Sequence, residues 1–149
     1  RVLHYRLNYA VELRYGVILD VAKKVWSGEV IDVSMGYANC IWQGYANSVA
    51  LQCFALATSP PAILNVTGLE RISIRDLAAR MGELLGKKPN LTGSEAPTAL
   101  LSNATKCREL FGEPDVSIDV LCMWIAHWIK SGGKTLSKPT HFETRDGKF

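Results

Sequence analysis

A chain of 149 residues, 48% hydrophobic and 21% charged, with a mean hydropathy of +0.05, has the balance of one ordinary globular domain. Its formal charge of +3 comes from 17 basic and 14 acidic side chains scattered along the chain, a pattern unlike the basic stripe of a nucleic-acid binder. The longest apolar run, Val120 to Ala126, falls far short of a membrane span, and the aliphatic content excludes disorder.

The amino end alternates Leu3, Tyr5, Leu7 and Tyr9 with His4, Arg6 and Asn8, which predicts a half-buried strand over residues 3–9. Val17, Ile18, Val21, Val25 and Trp26 then recur at helical spacing, predicting a helix over 14–27 that Gly28 stops. Val30–Val33 and Ala38–Trp42 read as two short strands around Gly36, followed by a helix from Tyr45 to Ala57 that Pro60 and Pro61 break. Ala62–Val66 is an aliphatic strand. Ser73-Ile74-Arg75-Asp76 resembles a capping box and opens a helix through Leu77, Met81 and Leu85 to Gly86. Pro89–Thr92 reads as a short edge strand. Ser102 is expected to cap a small helix over Asn103–Phe111, and Ser117 to cap Ile118–Lys130. That last helix is apolar almost all round, so it is expected deep in the core or in an interface.

Alternating strands and helices indicate an α/β or mixed α+β chain, with residues 1–131 as one domain and 132–149 as an extended polar tail. The strands are few for so much helix, so an upstream part of the fold is expected. The four cysteines, Cys40, Cys53, Cys107 and Cys122, form no C-x-x-C pair; they read as reduced, mostly buried thiols of a cytoplasmic protein. His127, among Trp124, Ile125 and Trp128, reads as a buried, hydrogen-bonded histidine. No metal-ligand spacing links His4, His127 and His141.

The order of several tracts is more telling than any one of them. Arg6-Leu7-Asn8-Tyr9-Ala10 leads to a helix ending at Gly28, then Val30-Ile31-Asp32-Val33, Gly36 and Ile41-Trp42-Gln43-Gly44-Tyr45. Leu64-Asn65-Val66-Thr67-Gly68 and Ile72-Ser73-Ile74-Arg75-Asp76-Leu77 follow, and later Leu101-Ser102-Asn103-Ala104-Thr105-Lys106 with Leu110-Phe111-Gly112. Together they resemble the C-terminal, substrate-binding half of the extended short-chain dehydrogenase/reductases, the NAD-dependent epimerase/dehydratase family, over about residues 2–131. The resemblance implies a mixed α/β fold whose complete relatives bind NAD(P) through a glycine-rich N-terminal half. It also implies that Asn8, at the end of the first strand, meets substrate or cofactor at the junction. Trp42 and Gln43 are candidates to line a sugar-like pocket, the indole stacking on a ring face and the amide holding hydroxyls.

Two features of that family are absent. No glycines fall in the G-x-x-G-x-x-G spacing that lets backbone approach a pyrophosphate, and no tyrosine has a lysine four residues later. No catalytic or cofactor-binding residue is therefore assigned. The tract Ala38 to Gln43 also lacks the arginine with which nucleotide-sugar members meet a diphosphate, which favours a smaller or less anionic ligand. The expected function is the substrate-binding half of an epimerase, dehydratase or reductase, acting on a sugar-like or small carbonyl/hydroxyl compound and not catalytic by itself. The alternative is a standalone binding or interaction module. In either case the apolar residues of the first strand and last helix predict self-association, as a homodimer or a higher assembly. Sedimentation showing only a 16.4 kDa species up to millimolar concentration would overturn that expectation.

Overall fold

The computed structural model describes residues 1–145. In chain order its first part holds β1 (Leu3–Leu7), β2 (Ala10–Val11), α1 (Val17–Ser27), β3 (Val30–Asp32), β4 (Tyr37–Ala38), β5 (Ile41–Trp42) and α2 (Gln43–Gln52). A 3-10 turn at Cys53–Leu56 leads to β6 (Ala62–Val66), β7 (Ile72–Ser73), α3 (Ile74–Leu85), β8 (Asn90–Thr92), α4 (Thr105–Phe111) and α5 (Ile118–Lys130). The strands pair two by two: β1 with β6, β2 with β5 and β3 with β8 in parallel, and β4 with β7 antiparallel. Among the described residues no helix is long and apolar enough to cross a membrane.

The helix signals hold where local chemistry sets them. Gly28 and Gly86 take left-handed conformations that end α1 and α3, and the Ser73 and Ser117 hydroxyls accept from the main-chain N–H groups of Asp76 and Val120. Several boundaries differ, four of them for a clear local reason. Helix α1 starts at Val17 rather than residue 14, because Gly16 adopts φ +129° and lies so close to Val11 that a Cβ would meet Cγ1 at 2.6 Å. Ala38–Trp42 is two strands, because the chain changes partner at Asn39 and Cys40, from β7 to β2. The second helix covers Gln43–Gln52 and tightens into the 3-10 turn before the prolines. Ser102 caps nothing: α4 begins at Thr105, whose N–H bonds the Asn103 side chain, and Ser102 is held by a distant residue.

Two hydrophobic cores result. In the first, α1, α3 and α5 pack on one another around Ile18, Val21, Ile74, Met81, Leu121 and Ile125. In the second, α2 and α4 cover one face of the β1–β6 pair around Val49, Leu64, Val66 and Cys107. Leu3 and Tyr5 point into this second core, Leu7 stays half-exposed, and Tyr9 leaves the strand to pack against the first core. The open face of the pair is the opposite one, carrying His4, Arg6, Ile63 and Asn65. Helix α5 is not buried all round: Leu121, Cys122, Ile125 and Ala126 face inward, while Met123 and Trp124 remain exposed. His127 is also exposed, contrary to the sequence expectation, because it lies two residues beyond buried Ile125 on a helix and so points away from the core. All four cysteines are buried and unpaired.

Beyond α5 the chain runs back across α1 as a strap without helix or strand. The Trp128 indole donates to Lys134 O, Leu136 N–H donates to Arg14 O, and both Thr140 N–H and its hydroxyl donate to one oxygen of Asp20, at 2.8 and 2.7 Å. Phe142 is 2% exposed and belongs to the first core, with Lys24 over its ring and paired to Glu143. Of the tail expected from the sequence, residues 146–149 lie outside the described residues. A buried phenylalanine makes the strap part of the core's energetics, so Phe142→Ala is expected to lower unfolding stability by about 3–5 kcal/mol in urea titration. A loss under about 1 kcal/mol, ordinary for a surface site, would show that the strap only lies on the core.

Candidate functional site

Because β1 and β6 are parallel, their carboxyl ends emerge side by side, at Asn8 and at Thr67-Gly68. In open α/β sheets ligands bind in the crevice outside such ends. The ladder continues one step past β1, where Asn8 N–H donates to Val66 O at 3.1 Å. Tyr9 then turns the chain through a positive φ of 43°, unusual for a bulky residue and tolerated where surrounding contacts fix it. One such contact is Ile41 N–H donating to Tyr9 O at 3.1 Å.

Between the two strand ends sits Asn39, 4% exposed. Its amide nitrogen donates to Gly68 O at 3.1 Å and to Ser102 O at 2.7 Å. Its oxygen accepts from the Asn8 amide at 2.8 Å and from Ser102 N–H at 3.3 Å. Both donors and both lone pairs are used, so the orientation of the amide is fixed by its partners. Gly68 is required here: it donates to Cys40 O, and a Cβ would stand 2.3 Å from that oxygen. Beside it the buried Thr67 hydroxyl has no partner among the described residues.

Two concavities lie beside the partners of this amide. Asn8 opens onto a crevice of about 470 Å³ with Arg6, Asn65, Leu100, Leu101 and Ser102. Trp42 lines a cleft of about 180 Å³ with Gly68, Glu70, Glu113, Ser117 and Ile118. The Trp42 ring stands edge-on to Trp124, centroids 5.7 Å apart, and folds over Gly44, where a Cβ would meet its Nε1 at 2.4 Å. Gln43 is the exposed first residue of α2 and lines neither concavity. Asn8 thus lines the crevice and Trp42 the cleft, and Gln43 lines neither.

Among the described residues the cleft at Trp42 is lined by two carboxylates and no basic residue. Glu113 meets Arg108 at 3.6 Å, an exposed and weak pair. An adjoining groove shares Glu70 and Ile118 and carries two arginines. Of these, Arg80 is held by Asp119 and Glu83, and Arg71 stacks over Tyr37 at 4.1 Å. The phenols nearby are not poised for proton transfer. Burial pushes Tyr5 up to about 12, and its hydroxyl donates to Ala46 O; burial likewise raises Tyr9 and Tyr45. Cys40, beside the cleft, is pushed up to about 12 by burial, so its thiol stays protonated and inert.

No family model matches the chain, and no curated protein is similar to it in sequence. Solved structures are similar in fold. RMD from Pseudomonas aeruginosa complexed with NADPH aligns with a TM-score of 0.66 at 14% identity, over 89% of this chain and 49% of that one. UDP-glucuronic acid 4-epimerase from Bacillus cereus with NAD gives 0.62 at 16% identity, over 89% and 45%. The Bordetella bronchiseptica enzyme WbmF with NADH gives 0.63 at 21%, over 87% and 46%.

This chain has the NAD-dependent epimerase/dehydratase fold. It spans about half the length of those structures. Of the residues singled out in the sequence, Asn8 lines the crevice and Trp42 the cleft; Asn39, Glu70, Glu113 and Ser102, which bound or brace the same concavities, were not singled out as site residues. The signal for Asn39 was a lone amide inside the apolar run Tyr37–Trp42, where a buried polar group demands partners. Removing it leaves several buried groups unpaired, so Asn39→Ala is expected to destabilise the chain by about 2–3 kcal/mol in urea titration. A change below about 0.5 kcal/mol, the range of an ordinary surface site, would mean that the hub is not a structural constraint.

Proposed function

We propose that this chain is the substrate-binding part of an epimerase, dehydratase or reductase of this fold, acting on a sugar-like or small carbonyl/hydroxyl compound. The observation that carries the reading is the pair of concavities around Asn39, at the carboxyl ends of two parallel strands, where this fold class binds ligands. The cleft chemistry narrows the ligand. An indole face beside carboxylate acceptors suits a ring with an apolar face and several hydroxyl donors, and disfavours a diphosphate.

Two helix amino ends argue against a dinucleotide in this chain. At the amino end of α1, Gly16 is packed against Val11, and Val17 and Ile18 are buried, so a pyrophosphate has no access there. At α3 the first residue, Ile74, is fully buried. The bound cofactors named for the similar structures, NAD, NADH and NADPH, therefore belong in this reading to a further part of the enzyme, which also supplies the proton-transfer groups. The open face of the β1–β6 pair fits the same division, since parallel strands are normally covered on both faces.

The test is tryptophan fluorescence and calorimetry on the purified chain with glucose, galactose, UDP-glucose, NAD and NADP. The free hexoses are expected to saturate in the millimolar range, and the UDP group to add no affinity. NAD and NADP are expected to give no signal. Trp42→Ala is expected to weaken hexose binding about tenfold, the ~1.4 kcal/mol scale of one stacked aromatic face. Micromolar binding of NAD or NADP, or hexose binding indifferent to Trp42, would overturn the proposal.

A further inference from the structure

The crevice beside Asn8 has one wall without regular structure, the segment Gly93–Asn103 between β8 and α4. Loops this long inside a compact fold are held by specific contacts or else are mobile. Near its start, Ala96 N–H donates to Ser34 O, and Glu95 pairs with Arg75 at 2.6 Å. At its far end Ser102 is locked into the Asn39 hub. Between them lies the stretch Thr98–Leu101, whose last two residues, Leu100 and Leu101, line the crevice at 49 and 44% exposure. Two half-exposed leucines supply little burial to keep a wall in place.

What holds this stretch comes from the other end of the chain. The Arg145 guanidinium donates through one nitrogen to Thr98 O at 2.9 Å and through the other to Thr98 Oγ1 at 2.7 Å. The first nitrogen also reaches Ser34 O at 3.5 Å, the carbonyl that Ala96 uses. A planar guanidinium is pre-organised for a two-pronged grip of this kind, which an ammonium cannot reproduce. Arg145 is itself fixed, because the strap before it is anchored by Thr140 on Asp20, by Phe142 in the core and by Glu143 on Lys24.

We propose that Arg145 is a positioning residue of the crevice: through Thr98 it sets where Leu100 and Leu101 stand opposite Asn8, so the strap anchored on α1 defines the ligand wall. The inference rests on the reading that this crevice takes substrate. It gives the polar carboxyl-terminal segment a role beyond covering α1. Coupling of this kind is reciprocal, so a ligand bearing on Leu100 and Leu101 also protects the Arg145–Thr98 contact.

Hydrogen exchange read by mass spectrometry on the 149-residue chain tests this without requiring any ligand. In Arg145→Ala, amides of the 98–101 stretch are expected to exchange about tenfold faster, while α1 and α5 keep their wild-type protection. Arg145→Lys is expected to behave like the alanine variant, because charge without the fork does not hold both Thr98 oxygens. Thr98→Ala, which removes one of the two bonds, is expected to give a smaller acceleration and to add little on top of Arg145→Ala, the signature of one shared contact. Exchange of the 98–101 stretch unchanged in Arg145→Ala would overturn the proposal. So would an even acceleration that includes α1 and α5, since that reports loss of global stability. Because these readouts need no sugar, failure of hexose binding in the wild type counts against the substrate reading alone.

Discussion

A single side-chain amide decides how the two halves of this structure meet. Asn39 lies where the chain leaves β4, paired with β7, and turns to β5, paired with β2. At such a switch the backbone ladder is interrupted, and buried polar groups need partners from elsewhere. Asn39 supplies them to segments 29, 31 and 63 residues away along the chain, Gly68, Asn8 and Ser102. Inside a low-dielectric interior a fully satisfied cluster of this kind is rigid, and any missing member leaves its partners unpaired. Asn39 therefore ties Asn8 and Ser102, which line the crevice, to Gly68, which lines the cleft.

From that tie the rest follows. Gly68 must approach Cys40, so the end of β6 has no room for a side chain, and the cleft next to it stays open. Trp42 is steered into the cleft from the opposite direction by Gly44, whose missing Cβ lets the indole fold back over α2, and by Trp124 against its edge. Helix α5 thus has two tasks. Its inner face closes the first core, while exposed Trp124 stands against the Trp42 ring.

Local chemistry made much of this legible in the sequence. The helices α1, α3 and α5 are amphipathic with glycine or serine boundaries, and every one of those signals acts within a turn of its own position. The strand reading failed where one run of residues is shared between two partners. Residues 38–42 look like one strand because all are small or apolar, yet the pairing splits them between two sheets. Ser102 looks like a cap because it precedes a helical run, yet its main chain is committed to Asn39. Gln43 was grouped with Trp42 because they are adjacent, but the first residue of a helix points its side chain independently of the strand before it. The strap was hidden in a polar sequence with one phenylalanine, and burial of Phe142 depends on the groove that α1 offers it.

A wall that is to receive a ligand must hold its shape, because small misplacements of a bound substrate cost large factors in rate. Here the second core is small, and the β1–β6 pair it covers is open on its other face, so hydrophobic burial alone cannot set the crevice. Polar ties do it instead: the Asn39 amide at the far end of the wall, the Arg75–Glu95 pair at its near end, and the strap arginine at its middle. Directional bonds of this kind fix geometry where apolar packing would leave it loose. They also place Leu100 and Leu101 toward the crevice at little energetic advantage to the fold, which is the arrangement expected when the beneficiary is a ligand rather than the core.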